Sequence, residues 1–129
     1  MASPVLLDTC ALLWLASDSG KISVSARARI RDAAEAFCSP ISAWEIAQKV
    51  ALGDLTLPAD PLKWFESLLA RYRLSQIPLT AAILVRAAQL PRYHKDPADR
   101  FIIATALLNG LPVATADHRF GEYGLETFS

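Results

Sequence analysis

Five acidic side chains stand at positions from which carboxylates could hold a metal ion. They are Asp8, Glu45, Asp96, Asp99 and Asp117. Carboxylate oxygens are the ligands that Mg²⁺ and Mn²⁺ prefer, and such ions activate water and stabilise attack on a phosphodiester. The five acids can share an ion only if the fold brings them to one place, so the elements that carry them decide whether this chemistry is possible.

The stretch from 94 to 117 predicts a loop, a helix, a tight turn and a buried strand. Asp96 opens the helix, because Asp is a good N-cap and the proline after it suits the first helical position. Apolar residues fill 101–108 almost without a gap, so most of this helix should be buried. Gly110 closes the helix. A short apolar strand then leads to Asp117.

Strand and helix patterns also alternate along the rest of the chain. Predicted strands cover 4–7, 36–39, 74–79, 111–116 and 125–128, and the other predicted helices cover 10–16, 25–34, 42–52, 62–72 and 80–90. Ser42 and Glu45 match a capping box at the start of the helix 42–52. This alternation favours one α/β domain over residues 1–129, with a parallel sheet between two layers of helices. Strand C-termini and helix N-termini share one edge of such a sheet, so the five acids are expected to converge there.

Composition limits the class of protein. The chain has 129 residues, is 53% hydrophobic and carries 13 basic and 13 acidic residues. Its mean hydropathy of +0.26 indicates an ordered protein, and a neutral chain needs a local basic patch to bind a polyanion. No apolar run of membrane-spanning length and no basic N-terminal segment precede the first strand, so neither membrane insertion nor secretion is expected. Cys10 and Cys38 are predicted to be reduced, buried thiols of a cytoplasmic protein.

Each acid also has a structural explanation. Asp8, Glu45, Asp96 and Asp99 all stand near the start of a predicted helix, where a carboxylate contributes about 0.3–1 kcal/mol by capping or by its interaction with the helix dipole. Capping needs one residue per helix, however, whereas Asp96 and Asp99 come as a pair. Asp117 follows a strand and precedes no strong helix pattern. With no convergent His or Cys expected, the set favours a metal-binding acidic edge.

Four motifs, in order along essentially the whole chain, resemble the PIN domain. More narrowly, they are similar to the VapC-type toxin ribonucleases of bacterial toxin–antitoxin pairs. The motifs are an apolar strand ending in Asp8-Thr9, the run Ser42-Ala43-Trp44-Glu45-Ile46, the run HKDPADRFIIA from His94 to Ala104, and Thr115-Ala116-Asp117 followed by Phe120.

The resemblance implies a three-layer α/β/α fold with a five-stranded parallel sheet in the order 3-2-1-4-5. It also implies a metal-dependent endoribonuclease that uses Mg²⁺ or Mn²⁺. The catalytic and metal-binding roles carry over onto Asp8, Glu45, Asp99 and Asp117. Three further residues would support this quartet: Asp96, Thr115 and Thr9.

Basic side chains that flank the acidic edge are candidates for holding RNA phosphates. They are Lys49, Lys95, Arg100 and Arg119. Solvated surface charge is the alternative for each of them. His94 and His118 are predicted to be loop histidines, because activation of water by a metal ion removes the need for a histidine base.

The predicted helices 42–52 and 62–72 carry more large apolar side chains than one face of a small sheet needs. These side chains are Trp44, Ile46, Val50, Leu52, Trp64, Phe65 and Leu68, with Leu55 and Leu57 between the helices. A groove between two such helices suits an apolar peptide helix, and burial in the core is the alternative. The resemblance implies that a cognate antitoxin lies in this groove, in a homodimer or a larger hetero-oligomer.

Two other classes of function stay open. A PIN-like domain could bind RNA or protein without cutting it. A phospho-acceptor signalling domain is less well supported, because such domains need an acidic pair before the acceptor and a lysine after the last strand, whereas Val5-Leu6-Leu7 precede Asp8. A phosphatase with an Asp-x-Asp motif would need an acid where Cys10 stands.

Overall fold

The sheet of this protein has five short parallel strands in the order β3-β2-β1-β4-β5 in a computed structural model that describes residues 3–129. The strands are β1 (Val5–Leu7), β2 (Ala36–Cys38), β3 (Leu74–Gln76), β4 (Val113–Ala114) and β5 (Thr127–Phe128). The predicted sheet and its order are confirmed, although the strands are shorter than predicted. In β3, for example, Ile77 still donates a backbone hydrogen bond to Cys38, but Pro78 has no N–H with which to continue the ladder.

Within the described part of the chain, six α-helices and one 3₁₀ helix connect and follow the strands. They are α1 (Thr9–Ala16), α2 (Val24–Asp32), α3 (Ile41–Ala51), α4 (Pro61–Tyr72), α5 (Ala81–Gln89), α6 (Pro97–Asn109) and the 3₁₀ helix His118–Tyr123. Gly110 ends α6 in the left-handed conformation with φ 63°, as its position predicts. Across residues 3–129, every helix is too short or too polar to cross a membrane.

Helices cover both faces of the sheet, which is why β1 is apolar at every position instead of alternating. Val5 and Leu7 pack into one core with side chains of α1, α2, α3 and α4. Leu6 points to the opposite face and packs with side chains of α5 and α6. All three residues of β1 are completely buried. This packing fixes the two ends of the central strand, and the acidic edge begins directly after Leu7.

The capping box predicted for α3 is wrong. The helix begins at Ile41, one residue earlier than expected, and Pro40 occupies the N-cap position without a side-chain acceptor. Ser42 therefore lies inside the first turn, where its hydroxyl is 2.8 Å from that of Thr9. Glu45 also turns to Thr9, whose hydroxyl donates a hydrogen bond to its carboxylate. A contact between α1 and α3 thus replaces the local capping contact.

Candidate metal centre

All of the predicted acids except Glu45 lie where a strand ends or a helix begins, at the carboxyl edge of the sheet. Asp8 follows β1 and is 5% exposed. Its backbone N–H donates to the Ala114 carbonyl at 3.1 Å, and its side chain caps α1 by accepting from the Ala11 N–H at 2.8 Å. Asp96 is the N-cap of α6, and Asp99 stands in the first turn of that helix.

The acids converge into two groups that share one residue. Glu45, Asp96 and Asp99 each offer a carboxylate oxygen, and these atoms all lie within 4.8 Å of one another. Asp99 also belongs to a second group of the same dimensions, with His94 and Asp117. Asp8 is close enough to affect its neighbours, because its charge raises the pKa of Asp99. Asp99 is therefore the centre of the cluster.

Burial, and to a smaller extent mutual repulsion, raises the pKa of three of these acids. Burial raises the pKa of Asp99 to about 7, with further contributions from the charges of Asp96, Glu45 and Asp8. Burial also raises the pKa of Asp8 to about 6, although hydrogen bonds from Thr115 and Ala11 partly oppose the effect. The pKa of Glu45 is raised by burial as well. A bound cation would remove this repulsion.

The pKa of Asp117 is lowered instead of raised. Burial raises its pKa, but hydrogen bonds from the Arg119 side chain and backbone and from His94 more than offset this, so the pKa falls to about 2. Asp117 also caps the 3₁₀ helix by accepting from the Arg119 N–H at 3.0 Å. The expectation that Asp117 has no capping role is therefore wrong, because a 3₁₀ helix too short to give a clear sequence pattern follows it.

His94 is the residue of the site that the sequence analysis missed. Its side chain is 2% exposed, and its Nε2 atom lies 2.9 Å from Asp117 Oδ2 and 3.1 Å from Asp99 Oδ2. His94 lies in a loop, as predicted, but the expectation of no convergent His is wrong. Asp117 lies 23 residues further along the chain, so no local pattern reveals the contact. The one available signal was the position of His94, two residues before an Asp-Pro helix start.

Among the four basic residues proposed for RNA phosphates, Arg100 has a different role. Its guanidinium donates four hydrogen bonds to main-chain carbonyl oxygens, those of Ala87, Leu90, Pro91 and His94, at 2.7–3.0 Å. Two of these carbonyls belong to the C-terminal end of α5, where helical carbonyls lack intrahelical donors. Arg100 thus holds the loop between α5 and α6, and phosphate binding by Arg100 stays a prediction.

Replacing Arg100 by lysine should lower the free energy of unfolding by about 1–3 kcal/mol, because one ammonium group cannot reach four carbonyls that a planar guanidinium satisfies together. Urea unfolding of Arg100→Lys and of the control Arg86→Lys, which changes an exposed arginine of α5, measures the difference. Equal stability of Arg100→Lys and the parent would contradict this structural role.

The other three basic candidates occupy different environments. Arg119 pairs with Asp117 at 2.8 Å and so neutralises one acid of the cluster. Lys49 stands one turn after Glu45 on α3, and its charge partly opposes the rise in the pKa of Glu45. Lys95 is exposed. Lys49 and Lys95 keep phosphate binding as a prediction, whereas Arg119 would have to release Asp117 to contact RNA.

The donor set fits a hard divalent cation. It consists of carboxylate oxygens from four elements that meet at one edge, and three of the carboxyl groups have raised pKa values. Carboxylate-rich sites of this kind suit Mg²⁺ or Mn²⁺ better than metals that prefer thiolate or imidazole ligands. The residues present are thus chemically suited to the ion that the sequence predicts.

Comparison with known proteins identifies the family. Residues 5–125 match the sequence profile of the PIN domain. The chain belongs to the PIN domain family. This PIN domain is 31% identical over 116 residues to Ribonuclease VapC22 of Mycobacterium tuberculosis, which covers 89% of this chain and 88% of the relative.

Solved structures share the fold of this PIN domain. It resembles FitAcB from Neisseria gonorrhoeae with a TM-score of 0.66 and 24% identity, covering 97% of this chain and 96% of that one. It also resembles a toxin–antitoxin complex from Klebsiella pneumoniae with a TM-score of 0.68 and 19% identity, with the same coverage of 97% and 96%. At these identities the likeness supports the fold alone.

One of the two cysteine predictions for this PIN domain needs correction. Cys38 is buried as predicted, but Cys10 is exposed, because it lies on the outer side of the first turn of α1. Partial burial and the charge of Asp8 raise the pKa of the Cys10 thiol, which disfavours a reactive thiolate.

The apolar side chains predicted to line the groove between α3 and α4 differ in burial. Core burial accounts for Ile46, Phe65 and Leu68, which therefore cannot line a groove as predicted. By contrast, Trp44 is 56% exposed and Leu52 68% exposed, and Leu62 at the start of α4 is 60% exposed. Trp64, Val50, Leu55 and Leu57 are half-buried. We refer to Trp44, Leu52 and Leu62 together as the α3–α4 surface.

Proposed function

We propose that this PIN domain is a metal-dependent endoribonuclease that acts as the toxin of a toxin–antitoxin pair in the cytoplasm. The convergence of carboxylates at one sheet edge carries the proposal, because Glu45, Asp96 and Asp99 place carboxylate oxygens within 4.8 Å of one another and the charge of Asp8 acts on Asp99. A ribonuclease among its relatives supports RNA as the substrate. We further propose that residues 1–129 act as one domain.

The ion, Mg²⁺ or Mn²⁺, would be held by Asp8 and Asp99, with Glu45 and Asp117 completing the site. When bound, such an ion lowers the pKa of water and stabilises negative charge on a phosphodiester. Asp99 belongs to both groups of donor atoms and so ties them together. The Ala11 N–H fixes one oxygen of Asp8, and Asp117 must share its carboxylate with Arg119.

Supporting side chains orient the proposed ligands. Thr9 donates a hydrogen bond to Glu45, and the Ser42 hydroxyl lies 2.8 Å from that of Thr9. The Thr115 hydroxyl interacts with Asp8 and accepts a hydrogen bond from the Asp117 N–H at 3.0 Å. Asp96 accepts from the Ala98 N–H at 3.0 Å, so it caps α6 and also adds negative charge beside Asp99. These contacts support the predicted roles of Thr9, Thr115 and Asp96 around the quartet.

A cleavage assay on total RNA tests the proposal directly. We expect cleavage with Mg²⁺ or Mn²⁺ and none in EDTA, with activity restored when the ion is returned. Cleavage that continues undiminished in EDTA would contradict a metal-dependent reaction. Metal binding without any RNA cleavage would instead favour a PIN-like module that binds RNA or protein without cutting it.

Glu45→Gln separates a catalytic role of Glu45 from a structural one. Glutamine keeps the carbonyl oxygen that accepts from Thr9 and loses the charge, so the variant should be at least as stable as the parent. If Glu45 helps to hold the ion, RNA cleavage should fall by about tenfold or more. Thermal unfolding and RNA cleavage measure the two effects, and Glu66→Gln on the exposed side of α4 is the matched control. Unchanged cleavage in Glu45→Gln would leave Glu45 with a structural role only.

The partner in this proposal is an antitoxin that covers the α3–α4 surface. Trp44 stands next to Glu45 in the chain, so a peptide on this surface lies close to the acidic edge. An antitoxin that also places a basic side chain among the carboxylates would compete with the metal ion. A protein of the same fold from Klebsiella pneumoniae was solved as a toxin–antitoxin complex, which supports a partner of this kind. Assembly as a homodimer or a larger hetero-oligomer stays a prediction.

A further inference from the structure

His94 lies at the proposed metal centre, but none of the roles described above requires it. It precedes α6 in the loop that follows α5, and its ring is buried against two acids of the cluster. A buried imidazole between two carboxylates has two possible tasks: it can bind the ion itself, or it can hold the carboxylates that bind the ion. The hydrogen bonds around the ring distinguish these tasks.

Contacts on several sides hold the His94 ring and its backbone. The ring packs edge-on against Phe120, with centroids 5.9 Å apart and an interplanar angle of 81°. The backbone N–H of His94 donates to Tyr123 Oη at 2.9 Å, and its carbonyl accepts from Arg100 at 3.0 Å. The ring therefore has little freedom to turn, and a rotation that exchanged its two nitrogens would break the contacts described next.

The hydrogen bond at Nδ1 assigns the tautomer. Nδ1 lies 3.2 Å from the backbone nitrogen of Asp96, whose N–H donates to it. Because Nδ1 accepts this bond, its lone pair faces Asp96 and the ring proton is on Nε2. Nε2 is thus an N–H donor to Asp117 Oδ2 at 2.9 Å, and Asp99 Oδ2 lies 3.1 Å from the same nitrogen. A nitrogen that carries a proton has no lone pair with which to bind a metal ion.

We propose that His94 is a positioning residue that sets the spacing of the Asp99 and Asp117 carboxylates before the ion binds. Its Nε2 atom lies within 3.1 Å of one oxygen of each acid, and without the partial positive charge of its N–H the two oxygens would repel each other more strongly. The second oxygen of Asp99 remains available to the ion. This inference rests on the proposed function only in that the acidic edge binds a divalent cation; it does not require that RNA is the substrate.

The test measures Mn²⁺ affinity, without RNA, from the electron paramagnetic resonance signal of free Mn²⁺. His94→Leu fills a similar volume and removes the donor, so its affinity should fall by about 10–100-fold, as for other changes around metal ligands. His94→Gln places an amide N–H near the position of Nε2 and should stay within about fivefold of the parent. Tyr123→Phe is the matched control, because it weakens the same loop without touching the carboxylates and should bind Mn²⁺ like the parent.

Three results would overturn the positioning role. The first is equal Mn²⁺ affinity of His94→Leu and the parent. The second is an equal loss of Mn²⁺ affinity in His94→Leu and Tyr123→Phe, because the order of the loop would then explain the loss without the Nε2 donor. The third is a ¹⁴N coupling, in pulsed measurements on the Mn²⁺-loaded parent, as strong as that of a directly bound imidazole. A parent that binds Mn²⁺ but cuts no RNA would refute the proposed function and leave the role of His94 standing, whereas a parent that binds no Mn²⁺ would refute both.

Discussion

Asp99→Asn is expected to lower RNA cleavage by about three orders of magnitude, which corresponds to roughly 4 kcal/mol of transition-state stabilisation. The reason is that Asp99 belongs to both groups of donor atoms, so its loss disrupts each of them. Asparagine keeps the shape and one carbonyl oxygen of the side chain and removes the charge. Initial rates on RNA at saturating Mg²⁺ or Mn²⁺ measure the effect.

The same variant should make the metal-free protein more stable near pH 7, by about 1–3 kcal/mol. The pKa of Asp99 is raised from its ordinary value of 3.8 to about 7 in the folded protein, so the folded state holds a proton that the unfolded state has released. The contribution of Asp99 to the stability of the parent is therefore greatest below about pH 4. This contribution is lost as the pH rises through about 7. Asp99→Asn should flatten that part of the stability curve.

Asp117→Asn is a control within the same site, because it should change the stability of the protein in the opposite direction. Its folded-state pKa is lowered to about 2, so its charge stabilises the protein above about pH 4, and the variant should be less stable than the parent at pH 7. Asp54→Asn, which changes an exposed aspartate after α3, should alter neither stability nor cleavage. Full cleavage by the Asp8→Asn/Asp99→Asn double variant would contradict the proposed site.

The parts of the fold that could be predicted from sequence are those set by local patterns. Apolar runs located every strand, and Asp96 starts its helix as an N-cap as expected. The convergence of the acids also followed, because parallel strands and the helices after them share one edge. For these features, short-range preference and the global fold agree, so a single sequence was sufficient.

The contacts that the sequence did not predict join polar side chains to partners far along the chain. Ser42 and Glu45 match a capping box locally, but Thr9 offers both a hydrogen-bond partner from another helix. Arg100 is beside Asp99 in sequence, yet it satisfies the carbonyls that end α5. His94 contacts Asp117 across 23 residues. Each of these polar contacts depends on tertiary packing, which a local pattern does not encode.

The partner proposal predicts a large effect in cells. Expressed alone in a bacterium, the protein should arrest growth, because an active endoribonuclease destroys cellular RNA, and a small protein encoded beside it should restore growth and co-purify with it. Asp99→Asn should be harmless and should still co-purify with that protein, since the α3–α4 surface is unchanged. Normal growth with the soluble, active parent present would contradict a toxin.

Leu62→Glu tests where the antitoxin binds. Leu62 is 60% exposed at the start of α4, so a charge there should not disturb the core, but it would place an unpaired carboxylate in an apolar interface. The variant should therefore stay toxic even when the partner is co-expressed, and it should not co-purify with it. Val85→Glu is the matched control, because Val85 is 55% exposed on α5, on the other side of the sheet, and its toxicity should still be neutralised. If the partner neutralises Leu62→Glu and fails on Val85→Glu, the antitoxin binds to the α5 side, and the assignment of the α3–α4 surface is wrong.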